Sequence, residues 1–332
     1  MTNVGIVSTS INPFPKAYAE WVTAGDLIVA GDKNSRRALI DYVEGLGGTY
    51  IATHQQEQWS WSEYVGWNCI QRRNAAIMEA MIRGYEFVVT VDDDNFPLPT
   101  AQAFVQRHID AIHHRDFKQV IRSTTNFVNT GLFCRPQFHQ RGVPYGVDTY
   151  PLVWQAPENT KIVVSQAQVL GDPDCDAVER ICNSPNVIAV SANCIIGPGV
   201  YAAFNSQATM WTREWLPVMA VLPGIGRYDD IFASFIFARL SREYNTALFV
   251  GEPCVRQVRN DHNLADDLRA EVWGMDHVFT FTSMLDAAHI SSDMPLHVAY
   301  GELILACERI LPPRTVSFAR EWVAAWRDII TP

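Results

Sequence analysis

Three consecutive carboxylates, Asp92-Asp93-Asp94, close the β-branched run Val88-Val89-Thr90-Val91 and are followed by Asn95, Phe96 and Pro97. Such a run predicts a buried strand that delivers negative charge at its carboxyl end. Carboxylates this close repel one another once desolvated, so the arrangement is tolerable mainly with a cation among them. Hard divalent ions such as Mn²⁺ or Mg²⁺ take oxygen ligands of this kind and often share them with a diphosphate. On this reading Asp92 and Asp94 flank a metal; the alternative is a solvated acidic turn. A second pair, Asp229-Asp230, follows Gly226-Arg227-Tyr228 and opens the apolar stretch Ile231 to Leu240. Two carboxylates at a helix amino terminus are favoured by the dipole and could be ordinary caps or an acid–base pair.

The elements that position these groups follow from periodicity. Val4 to Val7 reads as a buried strand ending in Ser8-Thr9-Ser10, and Leu27 to Ala30 repeats the pattern into Gly31-Asp32. Arg36 to Leu46 reads as a helix stopped by Gly47-Gly48, and Thr49 to Ala52 as a third strand. Apolar residues at helical spacing fill Asn74 to Arg83, and Gly84 closes that helix ahead of the strand into Asp92. This β-α-β-α-β alternation predicts an α/β fold with a mostly parallel, Rossmann-like sheet flanked by helices, whose strand ends converge on one crevice. Thr9 and Asp32 at these strand ends would hold a nucleoside; Thr9 and Ser10 could equally cap the next helix. After about residue 123 the periodicity weakens, and sheet regularity returns near Val187 to Val190 and Leu248 to Val250. The tail from Leu303 to Ile330 carries two helical patterns split by Pro312-Pro313. A catalytic unit over 1–265 with a helical extension over 266–332 is expected.

The chain has 332 residues, 48% hydrophobic and 19% charged, which fits a globular protein and gives no sign of disorder. Its net charge of −10 disfavours broad adhesion to nucleic acid or anionic lipid, although a local basic patch remains compatible with it. Met1 to Gly5 lack the pattern of a signal peptide, and no stretch of about 18 apolar residues offers a membrane span, so a cytoplasmic protein is expected. The seven cysteines show no zinc-ligand spacing and read as free thiols.

Further motifs narrow the reading. Arg141-Gly142-Val143-Pro144-Tyr145, Asp172-Pro173-Asp174-Cys175-Asp176-Ala177 and Gly226-Arg227-Tyr228-Asp229-Asp230 follow the acidic triplet in order. Together with Arg72-Arg73-Asn74 at the helix start, they resemble glycosyltransferase family 75, the reversibly glycosylated polypeptides and UDP-arabinopyranose mutases, over residues 4 to 263. The resemblance implies a GT-A fold, with Asp92-Asp93-Asp94 as its DxD motif binding Mn²⁺ or Mg²⁺ and a UDP-sugar donor. It also implies donor contacts from Thr9, Asp32, Arg72, Arg73, Asn74, Asp92, Asp93, Asp174 and Asp176. Arg141 becomes the counterpart of the family's sugar-associated arginine, and Asp229 or Asp230 the group that orients or deprotonates an acceptor hydroxyl. Since a guanidinium stays protonated at neutral pH, an electrostatic role for Arg141 is expected ahead of a covalent one. The chain departs from the family at Gln257, which stands where a histidine is expected; His262 is the substitute metal ligand. The region between Arg141 and Asp172 is also longer.

These features predict a metal-dependent glycosyltransferase acting on a hydroxyl acceptor: protein, glycan, metabolite or modified nucleobase. Homo-oligomerisation is compatible with this reading. A pyranose/furanose mutase is the alternative, followed by a non-catalytic nucleotide-sugar binder and then a nucleotidyltransferase. Trp59, Trp61 and Trp67, clustered before Arg72, are either core or a stacking platform.

Overall fold

The computed structural model describes residues 3–113, 119–123, 125–147, 149, 152–155, 160–191, 193–259 and 263–330. Its centre is an eleven-stranded sheet. The strands are β1 (Val4–Thr9), β2 (Asp26–Ala30), β3 (Thr49–Ile51), β4 (Phe87–Thr90), β5 (Asn95–Pro97), β6 (Val120–Ser123), β7 (Leu152–Gln155), β8 (Lys161–Gly171), β9 (Cys194–Ile196), β10 (Thr209–Thr212) and β11 (Thr246–Gln257). The order is β3-β2-β1-β4-β10-β8-β11-β9-β6-β7, with β5 paired to β11. The amino-terminal strands β3, β2, β1 and β4 are all parallel, as the βαβ alternation requires. Beyond them β10 inserts antiparallel between β4 and β8, and β8 runs parallel to β11.

Helices cover both faces: α1 (Arg37–Gly45), α2 (Arg73–Arg83), α3 (Ala101–His113), α4 (Ala177–Cys182), α5 (Asp229–Tyr244), α6 (Leu264–Ala287), α7 (Leu296–Ala306) and α8 (Pro313–Ile330). Alternation along the strands sorts side chains between two cores. Val7, Ile28, Ala30 and Val88 join α2, α5 and the carboxy-terminal helices, whereas Ile6, Leu27, Val29, Phe87 and Val89 join α1 and α3. The fold is thus an α/β sheet between helical layers, with α6, α7 and α8 packed into the first of these cores. Among the described residues, no helix is long and apolar enough to cross a membrane.

Strand direction fixes which groups meet. The carboxyl ends of β1, β4, β8 and β11 point to one edge of the sheet. The antiparallel β10 brings its amino end there too, because Thr209 lies opposite Thr90. The segments following or preceding those ends carry Thr9, Asp92 to Asp94, Asp172 to Asp176, Asn205 to Gln207, and Gln257 to Arg259. Two motif glycines let backbone approach closely. Gly142, at φ 95°, sits where a Cβ would lie 2.4 Å from Ile231 of α5, and Gly226, at φ 68°, where one would lie 2.0 Å from the Ala270 carbonyl oxygen of α6.

Candidate functional site

A cavity of about 470 Å³ opens at this edge. Its walls carry six carboxylates, Asp92, Asp93, Asp94, Asp174, Asp229 and Asp230, against four guanidiniums, Arg73, Arg141, Arg227 and Arg259. Two acidic clusters that lie far apart in sequence therefore share one cavity, where, among the described residues, carboxylates outnumber guanidiniums.

On the β4 side, Arg73 opens α2 fully buried and forms an ion pair with Asp92, while its Nη1 donates to the Ser206 carbonyl at 2.9 Å and hydroxyl at 2.5 Å. Burial works against that guanidinium's charge, but Asp92 and Asp230 outweigh it and raise its pKa. Asp93 accepts from Ser10 Oγ at 2.5 Å, and burial still pushes its carboxyl upward. Among the described residues the Asp94 carboxylate accepts from amide donors, Asn95 at 3.2 Å and Gln257 at 3.3 and 3.4 Å; burial followed by repulsion from Asp92 raises it to about 7, against a smaller lowering by Arg259. A carboxylate so short of positive partners is a natural cation ligand. Among the described residues no three His, Cys, Asp or Glu side chains converge as a complete metal cage. The donor set suits a hard ion that takes one or two carboxylates and completes its shell from a ligand's phosphates. His262, the expected nitrogen ligand, lies outside the described residues; Gln257, on β11, lines the cavity beside Asp94.

The opposite wall is the start of α5. Asp230 accepts from Ser206 N at 2.9 Å and Ser206 Oγ at 3.0 Å, and lies 3.3 Å from Arg141 Nη2. Arg141 also pairs with Asp174, through Nε at 3.0 Å and Nη2 at 3.0 Å, and donates to the Arg227 carbonyl. Burial disfavours its charge, but Asp174, Asp230 and Glu271 prevail and raise its pKa well above the ordinary value. Asp229 accepts from Gln71 Nε2 at 2.6 Å and from the Asp230 amide at 2.9 Å; burial and then Asp230 raise its carboxyl to about 7.

The sequence-derived residues divide accordingly. Thr9, Arg73, Asp92, Asp93, Asp94, Arg141, Asp174, Asp229 and Asp230 line the cavity together. Arg72, Asn74, Asp32 and Asp176 do not, and the structure gives each another occupation. Arg72 stacks 3.7 Å from the Trp67 ring centroid and donates to Gly66 and Ser62. Asn74 clamps Val221 through two 2.8 Å bonds. Asp32 accepts from the amides of Asn68 and Cys69, fixing the loop that carries Gln71 into the cavity. Asp176 caps α4 at Glu179 N and accepts from Tyr145 Oη at 2.7 Å. Trp61 is core against Trp322 and Phe318 of α8, with Trp59 stacked on it. Sequence reasoning passed over Gln71, the Asn205-Ser206-Gln207 turn, Arg227 and Arg259. The sequence offered one signal for the turn, a polar triplet between Phe204 and Ala208; the structure then shows all three residues nearly fully buried.

No family model matches this chain, and no curated protein sequence matches it. The resemblance to glycosyltransferase family 75 therefore rests on the motifs quoted above. Among solved structures the chain is similar to the crystal structure of S. aureus TarS 1–349 in complex with UDP-GlcNAc, at 11% identity and a TM-score of 0.42, over 99% of this chain and 90% of that one.

Proposed function

We propose that this protein is a glycosyltransferase of the GT-A type that moves a sugar from a UDP-sugar to a hydroxyl acceptor with Mn²⁺ or Mg²⁺ bound. The observation that carries the reading is that Asp92-Asp93-Asp94 and Asp229-Asp230 line one cavity, with Arg73 paired to Asp92 and Arg141 paired to Asp230 and Asp174. Asp92 and Asp94 would hold the cation, which supplies charge neutralisation for a diphosphate leaving group. Asp93, Thr9 and Asp174 line the donor's share of the cavity. Arg141, protonated and pinned by Asp174 and Asp230, offers a fixed positive charge and has no free electron pair for covalent attachment. One of the Asp229-Asp230 pair accepts the acceptor's proton. Asp32, Arg72, Asn74 and Asp176 act at one remove, by setting the loops that carry these groups.

The test is incubation with Mn²⁺ and a panel of UDP-pentoses and UDP-hexoses, following free UDP and sugar ring form by chromatography and NMR. Release of UDP supports the transferase. Ring interconversion with UDP still attached replaces it with the mutase, and no turnover of any bound donor leaves a nucleotide-sugar binder.

A further inference from the structure

The two carboxylates at the start of α5 have different surroundings. Asp230 is committed: Oδ2 takes both donors of Ser206, and Oδ1 faces Arg141. Its position ties three walls of the cavity together. Asp229 lies beside it, equally buried, with one oxygen on the helix's own backbone amide and the other on a single neutral side chain, Gln71. Gln71 is separated from Asp229 by 158 residues and comes from the 3-10 turn Ile70–Arg72. That turn is anchored by the bonds from Asn68 and Cys69 to Asp32.

Resting on the transferase reading above, we propose that Asp229 is the proton acceptor, that Asp230 is an anchoring anion, and that Gln71 is a positioning residue holding the Asp229 carboxylate from the opposite wall. In the step this implies, the acceptor O–H proton passes to Asp229. The acceptor oxygen bonds the anomeric carbon, and the bond from that carbon to the phosphate oxygen breaks, its electron pair leaving on the diphosphate. Among the described residues, the charged groups that act most strongly on Asp229 are Asp230 from its own helix and Arg141 from the 141–147 loop. They act in opposite directions: Asp230 raises its pKa and Arg141 lowers it. Gln71 donates to the ionised form and lowers it further, so it tunes as well as orients the base.

The experiment is carboxyl NMR of protein labelled with [4-¹³C]aspartate, the Asp229 signal assigned by its loss in Asp229→Asn. Removing a donor to the ionised form destabilises that form, so Gln71→Met should move the Asp229 midpoint upward by about one pH unit. The acid limb of kcat against pH should move with it, because a base works only when ionised. Gln71→Ala is the second variant, with the same direction expected. A midpoint within about 0.3 unit of wild type in both variants, against the one-unit shift expected for a lost donor, overturns the positioning role. Undiminished turnover in Asp229→Asn overturns the base. If wild type releases UDP from no donor while the midpoint still shifts, the contact stands and the transferase reading falls.

Discussion

Replacing Arg141 by methionine tests whether the guanidinium shared by Asp174 and Asp230 is a fixed structural charge. The change leaves Asp174 and Asp230 buried without their shared cation. Asp230 keeps both Ser206 donors, but Asp174 loses two 3.0 Å contacts and, among the described residues, is left with the weaker influence of Arg259 and Arg180. Breaking a buried pair from one side costs about 3–5 kcal/mol, most of it the stranded charge. The pH dependence has a definite sign. Burial alone would raise the Asp174 carboxyl, but Arg141 and then the other arginines hold it below the ordinary value. A carboxylate depressed in the folded state contributes stability that is present above its unfolded pKa of about 3.9 and is lost as pH falls through the folded value. In Arg141→Met that carboxyl moves upward and can relieve itself by taking a proton. The gap between wild type and variant should be widest near pH 8 and narrow towards acid. Urea unfolding followed by tryptophan fluorescence at pH 8 and pH 4.5 measures it. The double variant with Asp174→Asn, which removes the stranded charge, should regain at least about 1 kcal/mol. A loss under about 1 kcal/mol at pH 8, or no recovery in the double variant, would refute the argument.

The other expectations separate metal, chemistry and scaffold. Asp92→Asn with Asp94→Asn should abolish Mn²⁺-dependent UDP binding in calorimetry, and an unchanged cation-dependent affinity would remove both from the metal site. Asp229→Asn should cut turnover by about 10²-fold or more while UDP affinity stays within about twofold, the split expected of a group that acts on the acceptor. Asn74→Ala should cost roughly 2–4 kcal/mol of stability, since it strands the Val221 amide and carbonyl, each bonded at 2.8 Å. Correctly folded Asn74→Ala should bind UDP as wild type does; a large loss of affinity at unchanged stability would return Asn74 to the ligand contacts.

The strands β1, β2 and β4 were legible because each is a short, mostly apolar run leading into polar residues, and α2 because its apolar spacing ends at Gly84 in the left-handed conformation. The strand β8 was not. It is long and buried, but Ser165, Gln166 and Gln168 break its apolar run, and its register against β11 shifts twice. The longest helix, α6, lies almost wholly within the helical extension expected over 266–332, but its own spacing is hard to read for a related reason. Its buried stripe follows a regular spacing through Asp267, Glu271, Gly274, Val278, Phe281 and Leu285, yet begins with two carboxylates where an apolar pattern is sought. Those two carboxylates hold Arg227, at 3.3 Å from Asp267 and 3.0 Å from Glu271, and so keep a guanidinium at the cavity wall. The same logic separates Arg72 from Arg73. Consecutive residues at a helix start point about 100° apart, so one of the pair must turn away from a ligand that the other faces. Composition and spacing cannot say which, because the deciding partners lie elsewhere: Ser62 and Gly66, at the two ends of the short helix Ser62–Val65, capture Arg72, and Asp92 with Ser206 captures Arg73 across 19 and 133 residues. What decides a site residue here is the counter-group that tertiary structure brings to it, and for this cavity most counter-groups come from loops at strand ends with no periodic signature.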